Sequence, residues 1–251
     1  MILAEKAAGR RDLIEKLEKW LRELVDEASG RMISLEEGFD GWITLTPDDE
    51  LIRSIISIQT RLNPMAAERP PFPARVLKLT DSKILLEYPT IDGTTARVSF
   101  LTSFFAGSLG YSGDQPRMFL ESLGIFEGAP ISLAAGSLSI NQLKLLSEQT
   151  LRGLDRIMIF NAVAGEVDKV LSGRRLRNLI AYHEALTLLT HVLYVRLGAG
   201  LEKAVERVEE EMKSISKAIF VKPLSWKILL KIAGKEPFFN LLSRSSLQDP
   251  L

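Results

Sequence analysis

The chain of 251 residues is 46% apolar and 25% charged, enough hydrophobic material for one large domain or two modest ones, which excludes wholesale disorder. Its 32 Lys and Arg balance 32 Asp and Glu, so no global field draws it onto nucleic acid or an acidic membrane, and such binding requires a local patch. The absence of cysteine excludes disulfides, thiolate zinc sites, iron–sulfur clusters and a thiol nucleophile.

Met1 leads into Ala4, Glu5 and Lys6 without a basic-then-apolar leader. The longest apolar stretch, residues 179–197, carries His183, Glu184, His191 and Arg196, so no membrane span is expected and a cytoplasmic location is. Asn and Gln are scarce, a bias that thermophile proteins share.

In chain order, Leu13, Leu17, Trp20, Leu21 and Leu24 recur at helical spacing and predict an amphipathic helix over residues 5–25, with Gly30 at or beyond its end. Residues 32–35 and 42–45 flank a turn-rich stretch and suggest a short hairpin. Thr46, Pro47 and the acids after them predict a helix start with Thr46 as the N-cap. Pro64, Pro70, Pro71 and Pro73 mark a linker. Residues 74–80, 83–88 and 94–101 are rich in Val, Ile, Leu, Thr and aromatics and are joined by turn residues, so they read as an antiparallel meander; residues 129–133 suit a fourth strand. The stretch containing Gly107, Gly110 and Gly113 lacks every feature of a phosphate loop and reads as a mobile surface loop with Tyr111 at its tip, before a short helix over 116–123.

Everything after Ser137 reads as helical, with a Ser139 cap and breaks near Gly153, Gly173, Gly198–Gly200 and Pro223. The expected fold is therefore α+β and mostly helical. An N-terminal helical segment with a short hairpin (1–63) precedes a small antiparallel β meander or barrel-like module (74–135) and a C-terminal helical bundle (137–251).

The most unusual predicted helix covers residues 174–197 and holds both histidines. At about 100° per residue, His183, Glu184, Thr187, Thr190, His191 and Tyr194 share one arc, which suits a partly buried ligand-binding groove. Glu184 and His191 invite a proton-transfer or metal-ligand reading, yet helical metal motifs space their ligands three or four residues apart, and a hydrogen-bonded structural stripe fits better. Arg174, Arg175 and Arg177 follow Gly173 at a helix start, where they would suit phosphate or nucleic acid despite opposing the helix dipole. Lys222, Lys227, Lys231 and Lys235 alternate with Trp226, Phe238 and Phe239, a pattern met in nucleic-acid and membrane-surface binders and, more often, in a helix docked on its own domain. The seam Leu201, Ala204, Val208, Met212, Ile215 and Ile219 suits a bundle or a dimer interface. No Gly-x-Ser-x-Gly elbow is present.

The expected function is that of a non-catalytic protein–protein binding or scaffold protein, acting through a protein partner or self-association, within an assembly that handles nucleic acid. One alternative is an enzyme or small-ligand binder using His183, Glu184, Thr187, His191 and Tyr194. The other is direct nucleic-acid binding through Arg174, Arg175, Arg177, Lys227 and Lys231. No cofactor and no metal is expected.

Overall fold

The computed structural model describes all residues except 30–31, 39, 135–136, 217 and 234–251. It overturns the mostly helical expectation: three antiparallel sheets run through the chain, one of them a half-barrel, and the C-terminal part is no helical bundle.

The first module is β1 (Ile2–Lys6), α1 (Arg11–Ser29), β2 (Ser34–Glu37), β3 (Trp42–Thr46) and α2 (Glu50–Ile58), with sheet order β1-β3-β2. The periodic leucines do form α1, but its start lies later than expected because residues 2–6 pair with β3, and Ala8 and Gly9 then turn the chain with positive φ. Gly30, expected near the end of that helix, lies outside the described residues. Asp49 caps α2 instead of Thr46, which still belongs to β3; the Asp49 carboxylate accepts from the N–H groups of Leu51 and Ile52. The proline-rich stretch is not a bare linker. Pro64 accepts a hydrogen bond from the Ala4 N–H, Met65 bridges Leu3, and Pro73 lies within a strand.

The second module is the half-barrel, ordered β6-β5-β4-β7-β8 from β4 (Phe72–Leu79), β5 (Lys83–Pro89), β6 (Thr95–Leu101), β7 (Pro130–Ala134) and β8 (Ser137–Leu138). Two helices, α3 (Thr102–Ser108) and α4 (Pro116–Leu123), close one side of it. Tyr111 is not a loop tip. It is buried, its ring stacks on Phe119 at 4.5 Å, and its hydroxyl accepts from the Gln115 N–H. A helix, α5 (Ile140–Leu151), follows, and Ser139 caps it: its Oγ accepts from the Gln142 N–H and donates to Ser132 Oγ. Both partners are buried, so Ser139→Ala should cost about 1–2 kcal/mol in urea unfolding; an unchanged midpoint would contradict the cap.

The third module contains β9 (Arg156–Phe160), α6 (Ala164–Leu171), the single turn α7 (Arg174–Arg177), β10 (Ile180–Thr187), β11 (Thr190–Val195), α8 (Leu201–Ile215) and β12 (Phe220–Leu224). Its sheet is ordered β10-β11-β9-β12 and is antiparallel throughout. A βαββαβ unit with its fourth strand beside the first and its first beside the third has the ferredoxin-like topology. The breaks expected at Gly153, Gly173 and Gly198–Gly200 are genuine boundaries, but Gly153 and Gly198–Gly200 separate a helix from a strand, and only Gly173 separates two helices, α6 and α7. The seam Ala204, Val208 and Met212 of α8 packs with α6 on one face of this sheet, beside Ile157, Ile159, Leu193 and Val195. Ile219 lies beyond α8 and leads into β12. The last helix among the described residues, α9 (Trp226–Ala233), leaves this module to pack on α4 in the half-barrel core.

The modules interlock. The β10–β11 hairpin turns through Leu188 and Leu189, which are buried in the core of the first module among residues of β1, α1 and α2. Glu5, 0% exposed, accepts a hydrogen bond from the Leu189 N–H at 3.1 Å and pairs with Arg75 of β4. One carboxylate of β1 therefore touches a strand of the half-barrel and the turn of the β10–β11 hairpin.

Candidate functional site

The predicted groove was an arc on a helix, and that helix does not exist. Its residues lie on β10 and β11, where alternation divides them between two faces of the sheet. His191 and His183 point to the α6–α8 face, their rings 6.2 Å apart, with His183 Nε2 3.4 Å from Asp168 of α6. Glu184, Thr187 and Tyr194 occupy the opposite face, together with Thr190. The structure therefore brings the two histidines together and separates both from Glu184.

His191 is wholly buried. Its Nε2 lies 3.0 Å from the Ala162 carbonyl, which can only accept, so Nε2 carries the proton. Nδ1 has no hydrogen-bond partner among the described residues. Protonating it would create a buried cation with an unmatched donor, and burial pushes the imidazole down to about 4, with His183 adding to the effect and the Ala162 bond opposing it.

The other face holds a polar network that sequence reading missed. Arg156 replaces an apolar residue in the middle of the core. Its Nη1 donates to Gln149 Oε1 at 2.6 Å, and its Nη2 donates to the Ser122 carbonyl at 3.3 Å. Burial lowers the guanidinium to about 10, while Tyr194 and Glu184 pull it upward, so it stays charged at neutral pH. Arg152 pairs with Glu184 at 3.1 Å and lies over the rings of Tyr182 and Tyr194, themselves stacked at 4.2 Å. Burial and the neighbouring Glu184 push the Tyr194 hydroxyl well above its ordinary value, against Arg156 and Arg152, which keeps it a neutral phenol. The two rings, the exposed Arg152 guanidinium stacked on them and the wholly enclosed Arg156 form one layer beneath α5. Tyr182 Oη has no hydrogen-bond partner among the described residues, so Tyr182→Phe should change stability by no more than about 0.5 kcal/mol in denaturant unfolding; a loss above about 2 kcal/mol would reveal a bond there.

The basic residues do not converge. Arg174, Arg175 and Arg177 form the one-turn α7 against α8, where Arg175 lies 3.5 Å from Glu211, whereas Lys227 and Lys231 are exposed on α9 in the half-barrel. Lys235, Phe238 and Phe239 lie outside the described residues. Among the described residues no three His, Asp or Glu side chains are grouped to hold a metal, and no helix is long and apolar enough to cross a membrane.

A different feature is open. In the half-barrel, β6 pairs with β5 on one side and, among the described residues, with no strand on the other. Beyond one end of the pair the Thr90 N–H bonds the Thr94 carbonyl at 2.9 Å, and beyond the other the Thr102 N–H bonds the Ser82 carbonyl at 3.1 Å. The register between is regular, and hydrogen-bonded pairs alternate in an antiparallel ladder. Thr95, Arg97, Ser99 and Leu101 therefore turn their N–H and C=O groups away from β5. Asp40 Oδ2 takes the Thr95 N–H at 2.6 Å, and Trp42 Nε1 donates to Thr95 Oγ1 at 2.9 Å, which closes that end. The other end stops where the chain enters α3. Arg97, Ser99 and Leu101 remain along an edge that finishes beside two exposed apolar side chains, Leu101 (64%) and Phe104 (61%). The alternating composition of residues 95–101 signalled a strand, but only the sheet order identifies it as an edge.

No protein family, curated protein or solved structure matches the chain.

Proposed function

We propose that this chain is a non-catalytic binding protein that takes an extended segment of a partner protein onto the edge of β6. The observation that carries the reading is the run of outward-turned backbone groups at Arg97, Ser99 and Leu101 beside exposed Leu101 and Phe104. Sheet edges are ordinarily blunted by proline, bulges or inward charges, because an open row of N–H and C=O groups invites another strand. β6 has a regular register, no proline and one cation. Added strands draw affinity from main-chain hydrogen bonds and specificity from the alternate side chains, and a neighbouring apolar patch favours such contacts.

Ser99→Pro tests this. The Ser99 N–H points outward, so proline removes a docking group without breaking a β5–β6 bond. With a photo-crosslinking residue at position 101, complexes purified from the native host should crosslink to one partner segment, and Ser99→Pro should reduce that yield at least tenfold while the melting temperature holds. The same crosslinker at the exposed Glu206 of α8 should capture nothing comparable. Equal capture from both positions, or capture indifferent to Ser99→Pro, would remove the reading.

A further inference from the structure

Resting on that edge-binding reading, we infer that the segment received by β6 is antiparallel and carries an acidic side chain four residues after an apolar one. The open edge is short, bounded by Asp40 at Thr95 and by α3 at Thr102, so three outward residues define the register of whatever binds. An antiparallel segment closes a pair of hydrogen bonds at each of Arg97, Ser99 and Leu101. Its residues opposite these three share one face of the sheet with them, and the residue facing Leu101 precedes the residue facing Arg97 by four positions.

The chemistry at the two ends differs. Leu101 and the nearby Phe104 are exposed and apolar, and they favour an aliphatic or aromatic side chain opposite. Arg97 is exposed and only loosely held: its Nε lies 4.0 Å from Glu87, while Glu87 is already engaged by Lys6 at 3.0 Å. Lys83, paired with Leu101 in the ladder, and Lys78, paired with Leu85, are exposed on the same outer face. Of the carboxylates at this face and edge, Glu87 is shared between two cations, Asp40 is held by the Thr95 N–H at 2.6 Å, and Asp81 lies in the β4–β5 turn near Arg117 on α4. The face is thus cationic, and a carboxylate opposite Arg97 meets an unsaturated partner. A second copy of the chain fits less well. In a two-fold β6–β6 pair Ser99 faces Ser99, Arg97 faces Leu101, and the cationic outer faces join.

The test is a display library of random seven-residue peptides selected against the full chain. Enriched peptides should show an apolar residue followed four positions later by Asp or Glu. Arg97→Glu should weaken a selected acidic peptide roughly fivefold and shift a fresh selection toward Lys or Arg at that position. Ser99→Pro should abolish selection, with Leu101→Lys as a second edge variant in case proline disturbs the strand. Peptides that bind Ser99→Pro and Leu101→Lys unchanged would overturn the edge reading itself. Peptides lost in the edge variants but lacking any acidic preference, or indifferent to Arg97→Glu, would leave the edge standing and overturn this inference. An empty selection, or a chain that dimerises in light scattering through an interface broken by Ser99→Pro, would also overturn it.

Discussion

Glu5→Ala should destabilise the protein by about 3–5 kcal/mol, the scale set by removing one partner of a buried ion pair. Glu5 is fully enclosed, and its carboxylate serves Arg75 of the half-barrel and the Leu189 N–H at the tip of the β10–β11 hairpin. Alanine leaves the Arg75 guanidinium, whose Nε also holds the Ala4 carbonyl at 3.1 Å, without its counter-charge, and it strands a buried backbone donor. Glu5→Gln keeps the shape and one acceptor oxygen, and should cost less than the alanine variant. Urea unfolding measures both, and native-state hydrogen exchange adds a positional readout: in Glu5→Ala the amides around Leu189 should lose protection before those of β9. A loss below about 1 kcal/mol in both variants would show that the modules do not depend on this carboxylate.

Acid should weaken the fold through His191, in a window separate from that of the carboxylates. The folded imidazole is depressed to about 4, whereas an unfolded histidine titrates near 6.5. Below 6.5 the unfolded chain takes up a proton that the folded chain refuses, so stability present above about pH 6.5 is lost as the pH falls toward 4. The loss levels off once both states are protonated. Integrated over that interval the contribution is about 3 kcal/mol. Asp48 and Asp92, both held below the ordinary aspartate value by hydrogen bonds to Arg53 and Thr90 respectively, act lower, as their protonation in the unfolded state begins. Unfolding midpoints of the wild type and His191→Gln, measured from pH 7.5 to 4, isolate the histidine. The variant should lack the steep segment between 6.5 and 4, and parallel curves across that range would refute the assignment.

Much of the first two modules, and α8 in the third, was legible because these elements carry the standard signs. α1 and α8 show a 3.6-residue apolar repeat beside a charged face, and β4, β5 and β6 are separated by Asp81-Ser82 and by a turn in which Gly93 adopts positive φ. The third module was misread for a physical reason. Every residue of β9 and β11 is buried, because α5, Leu62 and Phe126 cover one face of the sheet and α6 and α8 the other. A strand enclosed on both faces has no polar alternation and cannot be told by period from a buried helix. The hairpin joining β10 to β11 is no clearer, since its turn is Leu188-Leu189, apolar residues needed by a neighbouring core in place of the usual glycine or asparagine.

The misreading also decided the candidate site. Residues 183, 184, 187, 191 and 194 cluster on a helix and divide on a hairpin, so one wrong period joined the histidines to Glu184. Arg152 and Arg156 read as part of the basic set near Arg174, and nothing in the sequence joins them to Tyr182, because each looks ordinary in its own segment. Their association comes from β9 lying next to β11, a pairing between strands far apart in sequence.

The plug formed by Leu188 and Leu189 bears on the order in which the molecule can be completed. Their socket, lined by Leu13, Leu17 and Ile56, belongs to residues that leave the ribosome long before the plug does. At roughly 5–20 residues per second, the gap between the synthesis of Met65 and that of Leu188 lasts on the order of ten seconds. Until the hairpin is made, the first module lacks the two side chains that complete its core.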